Sequence, residues 1–196
     1  MACDVVKQHT SGFSLVEVLV AVFILAIGVI GAAGMQLTAM RTNHQSGLQT
    51  MAVQLAAELA DKMRANDGQM KKSDTDNPFV GLSYQRSIDG MPQSPSKLCY
   101  SVSCNSRELA DFDVYEWKRR IASTLPDVRA LVCRDSQPWD DAARALSWNC
   151  QPGAETGTSL VIKLGWQAKN SDGSLVKDAA KQFPPSVAFT VEPYVQ

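Results

Sequence analysis

Between positions 13 and 40 the chain carries a single ionisable side chain, Glu17, and the next charge is Arg41. A helix of about 20 apolar residues spans the hydrocarbon core of a bilayer, so this run is long enough to cross with some tilt. An ordinary core helix is shorter and keeps a polar face, which residues 18–35 lack. A secretory signal peptide is the nearer rival. Lys7 supplies one positive charge ahead of the run, and "GAAG" at 31–34 puts small residues at a cleavage position. Against it, a carboxylate at the mouth of the run is unhelpful, and the helical pattern continues past Arg41. A plain signal anchor accounts for everything except Glu17.

Holding a carboxylate in the membrane costs about 2.5–3.5 kcal/mol at mid-depth and less near the interface. Such groups generally mark function and have a partner close by. An amine made by cleavage would serve. A cut between Gly12 and Phe13 would leave the new α-amino group one helical turn from Glu17, at i and i+4. The same amine can neutralise the Glu17 of a neighbouring subunit.

The stretch "GFSLVEVLVAV" resembles the cleavage motif of type IV pilins and type II secretion pseudopilins. The resemblance implies that Gly12 precedes the cut of a prepilin peptidase and that Phe13 becomes the N-methylated first residue. It also implies that Glu17 aids recruitment into a growing fibre. The chain would then divide into a leader peptide at 1–12, a transmembrane segment at 13–40, a periplasmic helical half at 41–65 and a periplasmic globular domain at 66–196. Its location would be the inner membrane, as a single-pass protein, and later an extracellular pilus. Two features depart from the usual pattern: the leader holds only one Lys and one Asp, and Gly28, Gly31 and Gly34 stand where many major pilins have a kinking proline. Such glycines weaken a helix by about 1 kcal/mol each and allow close helix contacts.

Past the apolar run, Leu48, Met51, Ala52, Leu55, Leu59 and Met63 recur at three- and four-residue steps, with Gln49, Gln54, Glu58, Asp61 and Lys62 on other faces. This predicts one helix from Phe13 to about Ala65, stopped by "NDG" and docked on a globular domain through its stripe. Residues 67–97 read as a long irregular connection. "SDTDN" at 73–77 hints at a calcium loop, but the glycine and terminal glutamate of an EF-hand are out of register, so no metal site is expected. A second helix is expected over 106–126, with Ser106 as N-cap and Trp117, Ile121 and Leu125 as its inner stripe. Residues 128–133, 158–168 and 185–194 read as strands, with "NSDG" as a turn between the last two. The fold class is α+β: the long N-terminal helix packed on a small antiparallel sheet, with the second helix beside it.

Cys3 precedes the apolar run and four cysteines follow it. Four on one side of a membrane segment suit two disulfides in an oxidising compartment, and no histidine accompanies them as in a zinc site. Of three possible pairings, the most local joins Cys99 to Cys104 and Cys133 to Cys150. "ELADFDVYEWKRRIASTLPDVRALVC", followed by "SLVIKLGW", resembles the minor pilins called type IV pilus modification proteins. Leu109, Ala110, Asp113, Trp117, Lys118, Leu125, Pro126, Cys133, Cys150 and Trp166 match, while Asp127 replaces a glycine usual after Leu-Pro. That resemblance implies a subunit that helps prime pilus assembly and joins the fibre at or near its tip, supporting adhesion and twitching motility. Its implied partners are other minor pilins, fibre subunits and a tip adhesin. The rival reading is a minor pseudopilin of type II secretion.

No catalytic constellation emerges. His44 is the only histidine left after cleavage and lies on the long helix, away from Asp140, Asp141 and Glu155 in loops. Paired cysteines leave no free thiol nucleophile, and no glycine cluster follows a strand to cradle phosphate. A net charge of −1 argues against nucleic-acid binding. The expectation is a non-enzymatic protein without cofactor. One segment invites a recognition role: "PWDDAARALSWNCQP" at 138–152 carries Trp139 and Trp148 beside a predicted disulfide. These are either a partner-binding knob or cover for a sheet edge.

Overall fold

The computed structural model describes residues 12–153, 158–169, 173–177 and 183–191. Residues 1–11, with Cys3 and Lys7 and most of the expected leader, lie outside the described residues, as do Glu155, positions 170–172 of "NSDG" and Tyr194. Two compact units are present, Met1–Thr42 and Asn43–Gln196. Helix α1, Leu15–Ala65, passes through both; it begins two residues after the expected Phe13.

In the first unit α1 exposes apolar side chains all round, among them Leu19, Phe23, Leu25 and Ile30. It is long and apolar enough to cross a membrane. Its few hydroxyls are satisfied within the helix: Thr38 Oγ1 donates to the Gly34 carbonyl at 3.2 Å and Thr42 Oγ1 to that of Thr38 at 3.1 Å. This back-bonding suits a helix surface without water.

In the second unit α1 buries one stripe: Ala52, Leu55, Ala56, Leu59, Ala60 and Met63. The alternating steps of three and one keep a single face of a 3.6-residue helix. Met51, expected in that stripe, is half exposed; the small Ala56 and Ala60 take the buried positions and admit close packing. "NDG" does not end helical structure outright, because the one-turn helix α2, Asp67–Met70, follows at once. The stretch expected to be irregular also contains strand β1, Ser83–Gln85, and the short helix α3, Arg86–Asp89.

Helix α4 spans Ser106–Thr124. Its N-cap is Asn105 rather than Ser106: the Asn105 side chain accepts from the Glu108 backbone N–H and the Glu108 carboxylate accepts from the Asn105 N–H, each at 2.9 Å. This reciprocal box satisfies two orphan donors, worth about 1 kcal/mol. The Leu-Pro turn that follows places Asp127 at φ 47°. The left-handed conformation is retained by an aspartate, one of the few non-glycine residues that tolerate it.

Strand β2, Arg129–Arg134, leads to a two-residue hairpin pair, β3 (Trp139–Asp140) and β4 (Ala145–Leu146), then to β5, Leu160–Gly165, and β6, Val187–Val191. The main sheet has the order β1-β2-β5-β6, antiparallel throughout, with Tyr84 opposite Ala130, Val132 opposite Ile162 and Ile162 opposite Phe189. One face of alternate residues, including Tyr84, Val132, Ile162 and Val187, joins the α1 stripe and Ala110, Trp117 and Ile121 of α4 in a single core. Three polar contacts fix α4 on α1: the Trp117 indole N–H donates to the Leu55 carbonyl at 2.7 Å, Lys62 pairs with Asp113 at 2.5 Å, and Arg120 with Glu58 at 2.8 Å. The architecture is α+β.

Candidate functional site

The N-terminal constellation lies at the start of the exposed apolar helix. Gly12 precedes α1, Phe13 is 84% exposed, and the Glu17 N–H donates to the Ser14 carbonyl at 3.0 Å as the first turn forms. Glu17 is the acidic residue of that turn, where the unpaired N–H groups of the helix end favour a negative charge. Gly28, Gly31 and Gly34 face open space, with nothing within 4 Å of an added Cβ. The arrangement offers a fully exposed apolar cylinder bearing one carboxylate near its tip.

Cys99 and Cys104 form a disulfide, as do Cys133 and Cys150. The first closes a short loop on α4, where Tyr100 meets Phe112 edge-on at 4.9 Å between ring centres and donates its hydroxyl to Glu116 at 2.8 Å. Lys97 pairs with Glu108 at 2.8 Å. That bond and the Asn105 N–H hold the Glu108 carboxyl below the ordinary carboxylate range.

The second disulfide fastens a loop across the outer face of the sheet. All six residues of β5 are buried, so Val161, Lys163 and Gly165, which alternate away from the helical core, are covered too. Lys163 is the pivot. It is fully buried, pairs with the fully buried Asp135 side chain at 2.5 Å, and donates to the carbonyls of Ser147 and Asn149 at 2.6 and 2.5 Å. Asp135 in turn accepts from the backbone N–H groups of Gln137 and Gln151 at 3.0 and 3.1 Å. A buried charge pair needs such partners, because its desolvation otherwise exceeds its attraction.

Trp148 belongs to this packing. Its indole N–H donates to the Phe183 carbonyl at 2.7 Å and the Arg129 guanidinium lies 4.3 Å from its ring centre. Its ring sits so close to Gly165 that an added Cβ there would lie 2.8 Å from it and 2.6 Å from the Pro184 carbonyl oxygen. Trp148 is therefore half-buried cover for the sheet rather than a free contact. Trp139, on the β3–β4 hairpin, is 47% exposed.

The "SDTDN" carboxylates have protein partners. Asp74 takes both guanidinium arms of Arg134 at 2.7 and 2.8 Å, which pulls its carboxyl below the usual range, and Asp76 accepts from Ser73 Oγ at 2.7 Å. His44 is exposed on α1, and Asp140 and Asp141 lie on the β3–β4 hairpin. Sequence reasoning missed the Lys163–Asp135 pair. The signal was a lysine in the middle of the apolar run "LVIKLGW".

Residues 7–33 match the prokaryotic N-terminal methylation motif. The adjoining residues 34–115 match the family model described as type IV pilin Tt1218. Together they support a type IV pilin, and the exposed apolar helix fits one anchored in a membrane. The architecture is pilin-like, and the type IV pilin family is a structural one. No curated protein and no solved structure matches the chain.

Proposed function

We propose that the chain is a minor pilin of the PilV group, the type IV pilus modification proteins, which helps prime pilus assembly and enters the fibre at or near its tip. A prepilin peptidase cuts between Gly12 and Phe13, and Phe13 is N-methylated. Before assembly the subunit sits in the inner membrane through residues 13–40 with its head in the periplasm. Other minor pilins, fibre subunits and a tip adhesin are its partners, and through them it supports adhesion and twitching motility.

The observation that carries this reading is Glu17, the one carboxylate in the apolar first half of α1, whose side chains are otherwise apolar and open. In a fibre core it gains the Phe13 amine of a neighbour. Opposite charges about 4 Å apart attract by roughly 4 kcal/mol at an effective dielectric of about 20. Desolvation removes much of that, so the pair sets register more than it adds stability. The rival, a type II secretion pseudopilin, shares the processing motif; the match over 34–115 to a type IV pilin favours the pilus.

Intact-mass and N-terminal analysis of the membrane-bound protein tests the processing step. The expected mature chain begins at methylated Phe13, and Gly12→Val leaves the precursor uncut. A start near Gly34 would mean a signal peptide and would overturn the reading. Recovery in secretion pseudopili but not in sheared pili would select the rival.

A further inference from the structure

The segment that follows β2 covers the sheet and also builds a pocket that the assembly role does not use. A cavity of about 280 Å³ opens beside the β3–β4 hairpin, lined by Gln137, Trp139, Asp140, Asp141, Asn149 and Gln151. Its size lies at the small end of ligand cavities, which run from about 300 to 1,000 Å³, and suits one ring of a longer molecule. The half-exposed Trp139 indole offers an apolar plate. The other groups are amides, which both donate and accept, and carboxylates, which accept.

This combination suits a sugar ring. A pyranose has an apolar C–H face that can lie on an indole, and an edge of hydroxyls that each donate and accept. Two carboxylates with no cationic side chain in the lining, among the described residues, oppose an acidic ring and leave a neutral one unopposed.

The pocket is also preorganised. The Lys163–Asp135 pair fixes the backbone of four residues in its wall, holding the Ser147 and Asn149 carbonyls and the Gln137 and Gln151 N–H groups. Asp140 Oδ1 accepts from the Ala142 and Ala143 N–H groups at 2.9 and 3.0 Å and sets the hairpin turn. The Cys133–Cys150 disulfide closes the same segment. Ordering costs that would weaken binding to a mobile loop are already met in the fold. We propose that this pocket binds a neutral pyranose unit of a glycan, with the ring stacked on Trp139. The inference rests on the head alone and does not depend on the pilin reading.

The test is saturation-transfer NMR on the mature full chain held in lauryldimethylamine oxide micelles, a detergent without sugar. The probes are methyl β-glucoside, methyl β-galactoside, methyl α-mannoside and tri-N-acetylchitotriose, with N-acetylneuraminic acid as acidic control. Reading the sugar protons keeps the signal independent of tryptophan. At least one neutral probe should show saturable, millimolar binding. Trp139→Ala should weaken it about tenfold or more, Trp139→Phe should restore part of it, and Gln151→Ala should weaken it less. Near-UV circular dichroism checks that each variant is folded. No saturable transfer from any neutral probe, unchanged binding in Trp139→Ala, or preference for the acidic sugar would each overturn the proposal.

Discussion

Leu25 and Leu59 belong to the same helix, yet Leu25 is 69% exposed and Leu59 is fully buried. The two halves of α1 share a backbone geometry and differ in what meets their side chains. Residues 43–65 bring their own solvent, a sheet and a second helix that cover one stripe, while Gln49, Gln54, Asp61 and Arg64 stay exposed. Among the described residues nothing covers the apolar run that begins α1, and a surface that apolar is stable only in lipid or among other apolar helices. The second half therefore reports on folding of the head, and the first on what the chain joins.

The largest expected effect separates the halves directly. Leu59→Ala should destabilise the head by about 2–5 kcal/mol, because the cavity lies in a packed core, whereas Leu25→Ala should leave its thermal transition unchanged. Near-UV circular dichroism melts in micelles measure both. An equal loss in the two variants would break the comparison. A smaller effect sharpens what holds α4 against α1. Trp117→Phe removes the indole N–H from the Leu55 carbonyl and should cost about 0.5–1.5 kcal/mol, read in the same melts. Smallest is Arg120→Ala, which breaks an exposed pair with Glu58. It should cost about 0.2–1 kcal/mol and less as salt rises.

Much of this division is written in the chain. The apolar run and the three- and four-residue steps beyond it give α1 almost to its ends, because long amphipathic and apolar patterns dominate local choice. Ala56 and Ala60 were not legible as core, since alanine carries no strong hydrophobic signal. Strand β1 escaped notice because three residues, Ser-Tyr-Gln, show no alternation and take their strand geometry from pairing with β2. The N-cap of α4 turned on adjacent residues that both cap helices; the decisive feature is Glu108, three residues after Asn105. The role of Lys163 was not legible for a tertiary reason. In a strand with one covered face an isolated lysine points to water, but the Cys133–Cys150 segment covers the second face here. The same cover turns Trp148 inward and leaves Trp139 out, a distinction two tryptophans in one loop cannot reveal by spacing.

Incorporation of Glu17→Ala into sheared pili separates an assembly role for the carboxylate from a role in processing or insertion. It is quantified against the membrane pool in cells that also make the wild-type fibre subunits. The apolar half of α1 keeps its length and exposure without that carboxylate, so insertion, cleavage before Phe13 and both disulfides should be unaffected. The proposed fibre partner of Glu17 would be lost, and the fraction of subunits reaching the pili should fall well below wild type. Equal incorporation of Glu17→Ala and wild type would show that the carboxylate serves processing or insertion, and would contradict the assembly role assigned to it.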